Sequence, residues 1–292
     1  MTGEHAAAIR WAGTTWGRGV REVRPLSGGW TSTILGLVAD DGDRAVLRLM
    51  TKEPWRSHAP AMLQREAGVQ HQLARGPVPA PVSVGVDPAG SEAGAPAHLM
   101  TWLPGALELG RCDDDVLGRL ARLLGDVHRH DPGGAQPREY QSWAHPAKRI
   151  VPPWAGRPEL WEHAFAELHT DPPPYDGVFL HRDFHLGNVL WAGGAVTGLV
   201  DWVETSWGPA ALDVAHAATY LAMLHGLDAA DRFTVLAGDR SAEERRYWEL
   251  MDVVGYLPDP VKVVATWRER GIAVSDDLAR GRLEDRLAAV LG

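Results

Sequence analysis

The chain has 292 residues, 29 lysines and arginines against 38 aspartates and glutamates, and a net charge of −9. That length supports one large domain or two lobes around a sizeable core, and the acidic balance argues against a nucleic-acid partner. A single cysteine, Cys112, excludes an internal disulfide framework and a cysteine zinc cage. No apolar run approaches membrane-spanning length and no basic-then-apolar leader opens the chain, so a reducing, cytoplasmic setting and no membrane partner are expected. Residues 1–100 are near neutral, which puts the acidic excess in the second part; it suits a cationic ligand there, or simply solubility.

After a tryptophan-rich opening, Val23–Leu26, Ile34–Ala39 and Ala45–Met50 read as strands. The glycine-bearing segment Ser27-Gly28-Gly29-Trp30-Thr31-Ser32-Thr33 lies between the first two. Such a loop lets backbone amides approach a polyphosphate, although Gly-Gly is equally a good turn. Alternation on the third strand puts Val46, Arg48 and Met50 on one face. A helix opening near Pro60 and stopping at Gly76-Pro77 carries Met62, Glu66, Val69 and Leu73 on one stripe. Glu66 on an apolar face needs a partner, and Arg48 is the nearest sensible one.

Val82–Val86 and His98–Leu103 complete a small sheet, and Pro104-Gly105 marks the passage to a second lobe. A helix starts at the Asp113–Asp115 cluster with Val116, Leu120, Leu123, Leu124 and Val127 buried; His128 and His130 read as cations capping its end. Residues 131–177 form a Pro- and Gly-rich insert with Trp143, Trp154 and a helix over 158–168. Its tryptophans are expected to pack the insert onto the body, a binding wall being the alternative. Beyond residue 201, Glu204–Pro209 reads as a loop, Ala210–Leu224 as an apolar helix interrupted by Asp213, and helices follow near 228–237, 241–255, 259–270 and 276–291. Asp213 is expected to be a buried anchor for loop backbone.

The most informative stretch is GVFLHRDFHLGNVLWAGGAVTGLVDW, residues 177–202. A strand stops at His181, a loop carries Asp183 to Asn188, and a hairpin turning at Gly193-Gly194 ends on Asp201. Because the two arms run antiparallel, Asn188 and Asp201 belong at the same end of the ribbon. An amide with two carboxyls is an all-oxygen set that suits a hard cation and phosphate, without the paired imidazoles or thiolates of zinc. The order His-x-Asp, asparagine five residues on, then a strand-ending aspartate is that of kinase catalytic loops.

On these residues the chain resembles the aminoglycoside phosphotransferase and choline kinase-like family of small-molecule kinases, over about residues 20–225. The resemblance implies an α+β, bilobal protein kinase-like fold: a small antiparallel-sheet N-lobe with one key helix (1–103) and a larger, mainly helical C-lobe (104–292). It implies Asp183 as catalytic aspartate beside His181, and Asn188 and Asp201 as magnesium ligands. Ser27, Gly28, Gly29, Thr31 and Ser32 become the nucleotide loop, and the backbone of Thr101 and Leu103 an adenine-binding hinge. Asp213 becomes the structural aspartate. Two departures stand out. Arg48 replaces the usual lysine, which leaves GTP open beside ATP, and Arg182 stands where much of the family has glycine. With no long activation segment to clamp, Arg182 is expected to be structural.

The expected reaction is transfer of the γ-phosphoryl group of ATP to a hydroxyl of a small molecule. Glu204 and Trp207, with Trp143 and Trp154, are candidate acceptor contacts. A cationic antibiotic such as an aminoglycoside is the first expectation. A metabolite kinase acting on an amino alcohol, a sugar or a similar hydroxyl compound is the alternative. A nucleotide-binding protein without catalysis is a third reading, which the joint presence of Asp183, Asn188 and Asp201 disfavours.

Overall fold

A computed structural model describes residues 5–26, 31–238 and 241–292. In chain order the elements are α1 (Ala6–Trp16), β1 (Val20–Leu26), β2 (Thr33–Ala39), β3 (Arg44–Leu49), α2 (Trp55–Leu73), β4 (Ser83–Asp87), β5 (Ala97–Thr101), β6 (Ala106–Leu107), α3 (Asp114–His128), α4 (Pro158–Glu167) and β7 (Gly177–Leu180). Then come β8 (Val189–Ala192), β9 (Ala195–Leu199), β10 (Ser206–Pro209), α5 (Ala211–His225), α6 (Leu227–Ala237), α7 (Ala242–Gly255), α8 (Val261–Arg268) and α9 (Asp276–Leu291). The chain divides into two compact units: Met1–Ala106 with Leu190–Glu204, and Leu107–Val189 with Thr205–Gly292.

The first unit is built on an antiparallel five-stranded sheet in the order β1-β2-β3-β5-β4, with Ile34 opposite Arg48 and Arg48 opposite His98. Strand alternation divides its side chains. Leu35, Leu37, Leu47, Leu49 and Leu99 pack with Ala8, Trp11 and Ala12 of α1, while Met50 joins Ala59, Met62 and Leu63 of α2. Helix α1 falls in the stretch the sequence reading left as a tryptophan-rich opening. Its small apolar face at Ala8, Trp11 and Ala12 follows a three-four spacing, and Gly17 ends it in the left-handed region at φ 69°. Helix α2 begins at Trp55, five residues before Pro60. The Glu53 carboxylate meets the entry by accepting from the Ser57 amide, and Pro60 withholds one backbone bond near the start.

The second unit is mainly helical and centred on α5, whose residues Leu212, Ala215, Ala218, Leu221 and Ala222 are all buried. A helix apolar on every side must be surrounded, and α6, α7 and α9 surround this one. Helix α3 starts as a capped helix, the Asp113 carboxylate accepting from the Val116 amide. Residues 206–209, read from the sequence as loop, form β10 and pair with β7, Trp207 opposite Phe179. The Trp207 indole lies over Gly177, where a β-carbon would come within 2.0 Å of it. That pairing is non-local, and Gly208-Pro209 hides it from a reading by local pattern. The architecture is thus α+β: a small antiparallel sheet with one key inward helix, and a larger, mainly helical part.

Candidate active site

The first unit gathers its charged groups on β3, α2, β5 and the segment after β9. Arg48 is 5 % exposed and Glu66 fully buried, with Arg48 Nη2 3.3 Å from Glu66 Oε1. His98 completes the set: its Nδ1 is 2.9 Å from Glu66 Oε2 and its Nε2 3.0 Å from Ser83 Oγ. Burial pushes the Glu66 carboxyl up, but Arg48 and His98 outweigh it and hold the pKa at about 2. Arg48 Nη1 also donates to Asp201 Oδ1 at 3.0 Å, so one guanidinium serves two carboxylates.

Asp201 follows β9 in a left-handed conformation, φ 69°. Among the described residues the only other non-glycine with positive φ is Arg182, at 73°. A non-glycine residue there costs on the order of 1–3 kcal/mol, and such strain clusters at functional loops. The hairpin feeding Asp201 turns at Gly193 and Gly194, with φ 57° and 77°, the positive pair a tight hairpin requires. In the segment expected as the hinge, the Thr101 amide donates to the Val82 carbonyl and its Oγ1 accepts from the Val82 amide, each at 2.9 Å. Leu103 packs close to Gly198, where a β-carbon would lie 2.8 Å from it. Of the expected nucleotide loop, Ser27, Gly28 and Gly29 lie outside the described residues. Ser32 is buried and Thr31 half-buried.

The second unit carries the loop 181–188. Asp213, buried in α5, accepts from the His181 amide at 3.0 Å and from the Arg182 amide at 2.7 Å. Its second oxygen also meets His128 Nε2 at 3.1 Å, so His128 reaches across to this carboxylate instead of capping its own helix. His130 packs edge-on against Phe179. The His181 ring is fully buried, and its Nδ1 accepts from the Asp183 amide at 3.3 Å. Arg182 is buried with its guanidinium 3.9 Å above the Trp143 ring. These contacts shape the loop and leave Asp183, its one acid, with a side chain 29 % exposed.

Asp183 sits in a ring of N–H donors. His216 Nε2 is 3.1 Å and His185 Nε2 3.5 Å from its Oδ1, and Asn188 Nδ2 donates to its Oδ2 at 3.2 Å. Burial would raise its pKa, yet His185 and His216 hold it well below the usual carboxylate range. It is therefore ionised at any physiological pH and is a weak base. Asn188 spends its amide nitrogen on Asp183, donating also to its carbonyl at 2.8 Å.

Asp183, His185 and His216 present ligand atoms all within 4.8 Å of one another, a spacing a metal ion fits. The imidazoles argue otherwise. His185 Nδ1 accepts from the Gly187 amide at 2.9 Å, so the neutral ring carries its hydrogen on Nε2, the atom facing Asp183. It donates to the carboxylate and has no lone pair left there for a metal.

The expected tryptophans are packed into the body of their unit. Trp154 donates to the Pro258 carbonyl at 2.8 Å and stacks edge-on against Trp161; Trp207 is fixed in β10. Trp143 packs on His216, ring centroids 5.1 Å apart. Glu204 closes a short 3-10 turn, Trp202–Glu204. His216 and Asp252 escape a reading by motif. The signal was a histidine three residues after Asp213 in a helix otherwise apolar, and an aspartate inside LMDVVG.

The family model described as the phosphotransferase enzyme family matches residues 22–250. No curated protein matches the chain significantly. Among solved structures, aminoglycoside phosphotransferase APH(4)-Ia is 17 % identical, with a TM-score of 0.68 over 97 % of this chain and 98 % of that one. A thermostable mutant of that protein, in ternary complex with ADP and hygromycin B, gives 17 % identity and a TM-score of 0.65 over 98 % and 99 %. Amicoumacin kinase hAmiN, in complex with AMP-PNP, Ca2+ and Ami, gives 10 % and 0.62 over 99 % and 92 %. These likenesses show the kinase-like bilobal fold, and the match of the family model over most of its length shows that the chain belongs to the phosphotransferase enzyme family, as a small-molecule kinase acting on hydroxyl groups.

Proposed function

We propose that the protein transfers the γ-phosphoryl group of ATP to a hydroxyl of a small molecule, with Asp183 receiving the hydroxyl proton. The observation that carries this reading is the treatment of Asp183: a partly exposed, ionised carboxylate fixed by three N–H donors at the end of a strained loop. Its low pKa suits phosphoryl transfer, where the proton moves late and positioning and electrostatics do most of the work. His181, buried and bonded to the Asp183 amide, supports the loop and does not touch the acceptor. Asp213 and Arg182 hold the same loop from behind.

Arg48, oriented by Glu66 and His98, is the group for the inner phosphates, and its planar fork matches phosphate oxygens. Thr31 and Ser32 belong to the sequence segment expected to meet the phosphates, with Ser27, Gly28 and Gly29 candidates on sequence alone, and the segment of Thr101 and Leu103 receives the base. The relatives' complexes with ADP and AMP-PNP support an adenine nucleotide here. Asn188 and Asp201 are the residues expected to hold magnesium, each offering an oxygen of the kind that ion takes. When bound, that ion neutralises charge on the phosphates.

Hygromycin B and amicoumacin complexes among the relatives support an antibiotic as acceptor. The acidic excess of the second part favours a cationic one, with Glu204 and Trp207 as candidate contacts and Trp143 and Trp154 as supporting packing. Within the second reading, a metabolite such as an amino alcohol, a sugar or a similar hydroxyl compound, a specific observation favours an acceptor without positive charge. Lys262 lies with Nζ 6.0 Å from the Tyr256 ring, and Lys148 donates to the Gly255 carbonyl at 2.9 Å. Burial lowers the pKa of both lysines, and Lys262 is drawn back up by Asp183 and Asp252. An acceptor panel with ATP and magnesium, spanning aminoglycosides, macrolides, amino alcohols and sugar acids, separates the readings. Turnover confined to antibiotics supports the first, and turnover confined to metabolites, amino alcohols and sugar acids among them, supports the second. ATP binding without turnover on any acceptor would leave the protein a nucleotide-binding relative without catalysis.

A further inference from the structure

Behind Asp183 lies a second carboxylate. Asp252, on α7, is 1 % exposed, and its Oδ1 is 2.9 Å from His216 Nδ1; the other ring nitrogen, Nε2, is 3.1 Å from Asp183 Oδ1. An imidazole between two carboxylates satisfies both only as an imidazolium, donating at each nitrogen; a neutral ring would turn a lone pair toward one of them. The ring is also held in place. Tyr256 stacks on it at 5.8 Å and 12°, and Trp143 meets its edge at 5.1 Å and 81°. The groups facing it are Asp183 and His185 from the loop, and Asp252 and Tyr256 from α7 and its C-terminal end. Burial works against the charge, but Asp252 and Asp183 raise the His216 pKa to about 9.

We propose that His216, held by Asp252, is a positioning residue for phosphoryl transfer: as an imidazolium it fixes the Asp183 carboxylate through Oδ1 and leaves Oδ2, which also takes the Asn188 amide, to receive the acceptor hydroxyl. The proposal rests on the reading of Asp183 as the proton acceptor. In the transfer, the bond from the acceptor oxygen to the γ-phosphorus forms. The bond from that phosphorus to the bridging oxygen breaks, and its electron pair leaves with ADP. The hydroxyl proton passes to Asp183, while His216 keeps both of its own. The trio Asp183–His216–Asp252 thereby goes from one net negative charge to none, so no buried charge is created as the proton arrives.

The test uses the full chain as wild type and as H216Q, D252N and D183A. Turnover is followed with the best acceptor of the panel, or with water as ATP hydrolysis. H216Q is expected to lower kcat on the order of 10- to 100-fold with the ATP KM unchanged, and D252N to lower it less. Nitrogen NMR of the histidine rings is expected to show His216 doubly protonated at neutral pH in the wild type and neutral in D252N. Wild-type kcat in H216Q, or a neutral His216 ring in the wild type, overturns the proposal; should H216Q fail to fold, the wild-type ring spectrum decides alone. Undiminished turnover in D183A overturns instead the reading beneath it.

Discussion

The Arg48 guanidinium stands between two carboxylates of the same unit, its Nη2 3.3 Å from Glu66 Oε1 and its Nη1 3.0 Å from Asp201 Oδ1. Strand β3, helix α2 and the end of the β9 hairpin are thereby tied through one planar group. Lysine offers a single ammonium and cannot make both contacts. R48K should raise the ATP KM roughly 10- to 100-fold, the equivalent of one charge-assisted bond of about 1.5–3 kcal/mol. Steady-state kinetics over ATP concentration checks it.

Glu66 makes acid stability a readout of the same cluster. Burial raises its pKa, and Arg48 and His98 lower it further than that, to about 2 against an ordinary 4.5. A folded value below the unfolded one gives stability that is complete above about 4.5 and lost as pH falls toward 2. E66Q should cost about 3–5 kcal/mol near neutral pH by leaving the buried Arg48 guanidinium short of its partner. The gap from wild type should close as pH falls through that window. Denaturant unfolding across pH measures it, and a pH-independent gap would assign the loss to packing.

Asp213 is the support of the loop. Its two oxygens take the amides of His181 and Arg182 at 3.0 and 2.7 Å in a fully buried site. Asparagine keeps one acceptor oxygen and turns an NH2 toward the other amide. D213N should therefore lose about 3 kcal/mol of stability. Turnover should fall with it, since Arg182 is held at φ 73° by these bonds. Chemical denaturation and activity at one temperature below both transitions check the two effects.

Two glycines separate loop geometry from general strain. A β-carbon at Gly187 would stand 2.8 Å from His185 Cε1 and 2.9 Å from the Tyr220 hydroxyl, pressing on a ring stacked at 4.2 Å. At Gly193, in the hairpin turn, nothing lies within 4 Å and only the φ of 57° opposes a side chain. G187A should lower kcat with the ATP KM unchanged. G193A should cost about 1–2 kcal/mol of stability and leave kcat alone.

What is legible in the sequence divides by the range of the contacts. Strands β2 and β3, the Gly193-Gly194 turn and helices α3 and α4 were legible because alternation, three-four spacing and caps are local. The Arg48–Glu66 pair was legible because a glutamate on an apolar stripe has few places to go. Strand β10 was not, since its only reason to be a strand is β7, some thirty residues away in the chain. His128 binding Asp213 and the His216–Asp252 contact are likewise tertiary, made between helices whose order in the chain says nothing of their facing sides. Trp154 illustrates the opposite case. Its indole is spent on Pro258 and Trp161, so an aromatic in an irregular insert was packing material, as its type more often is.

The most direct measurement of the central claim is turnover and ATP-analogue affinity of D183A beside wild type, with the best acceptor of the panel and magnesium present. Transfer to the hydroxyl is expected to fall by about 100-fold or more while analogue affinity is unchanged, because the group removed is the proton acceptor and not a nucleotide contact. Wild-type turnover in D183A, or a loss of nucleotide binding that accounts for the whole effect, would contradict it.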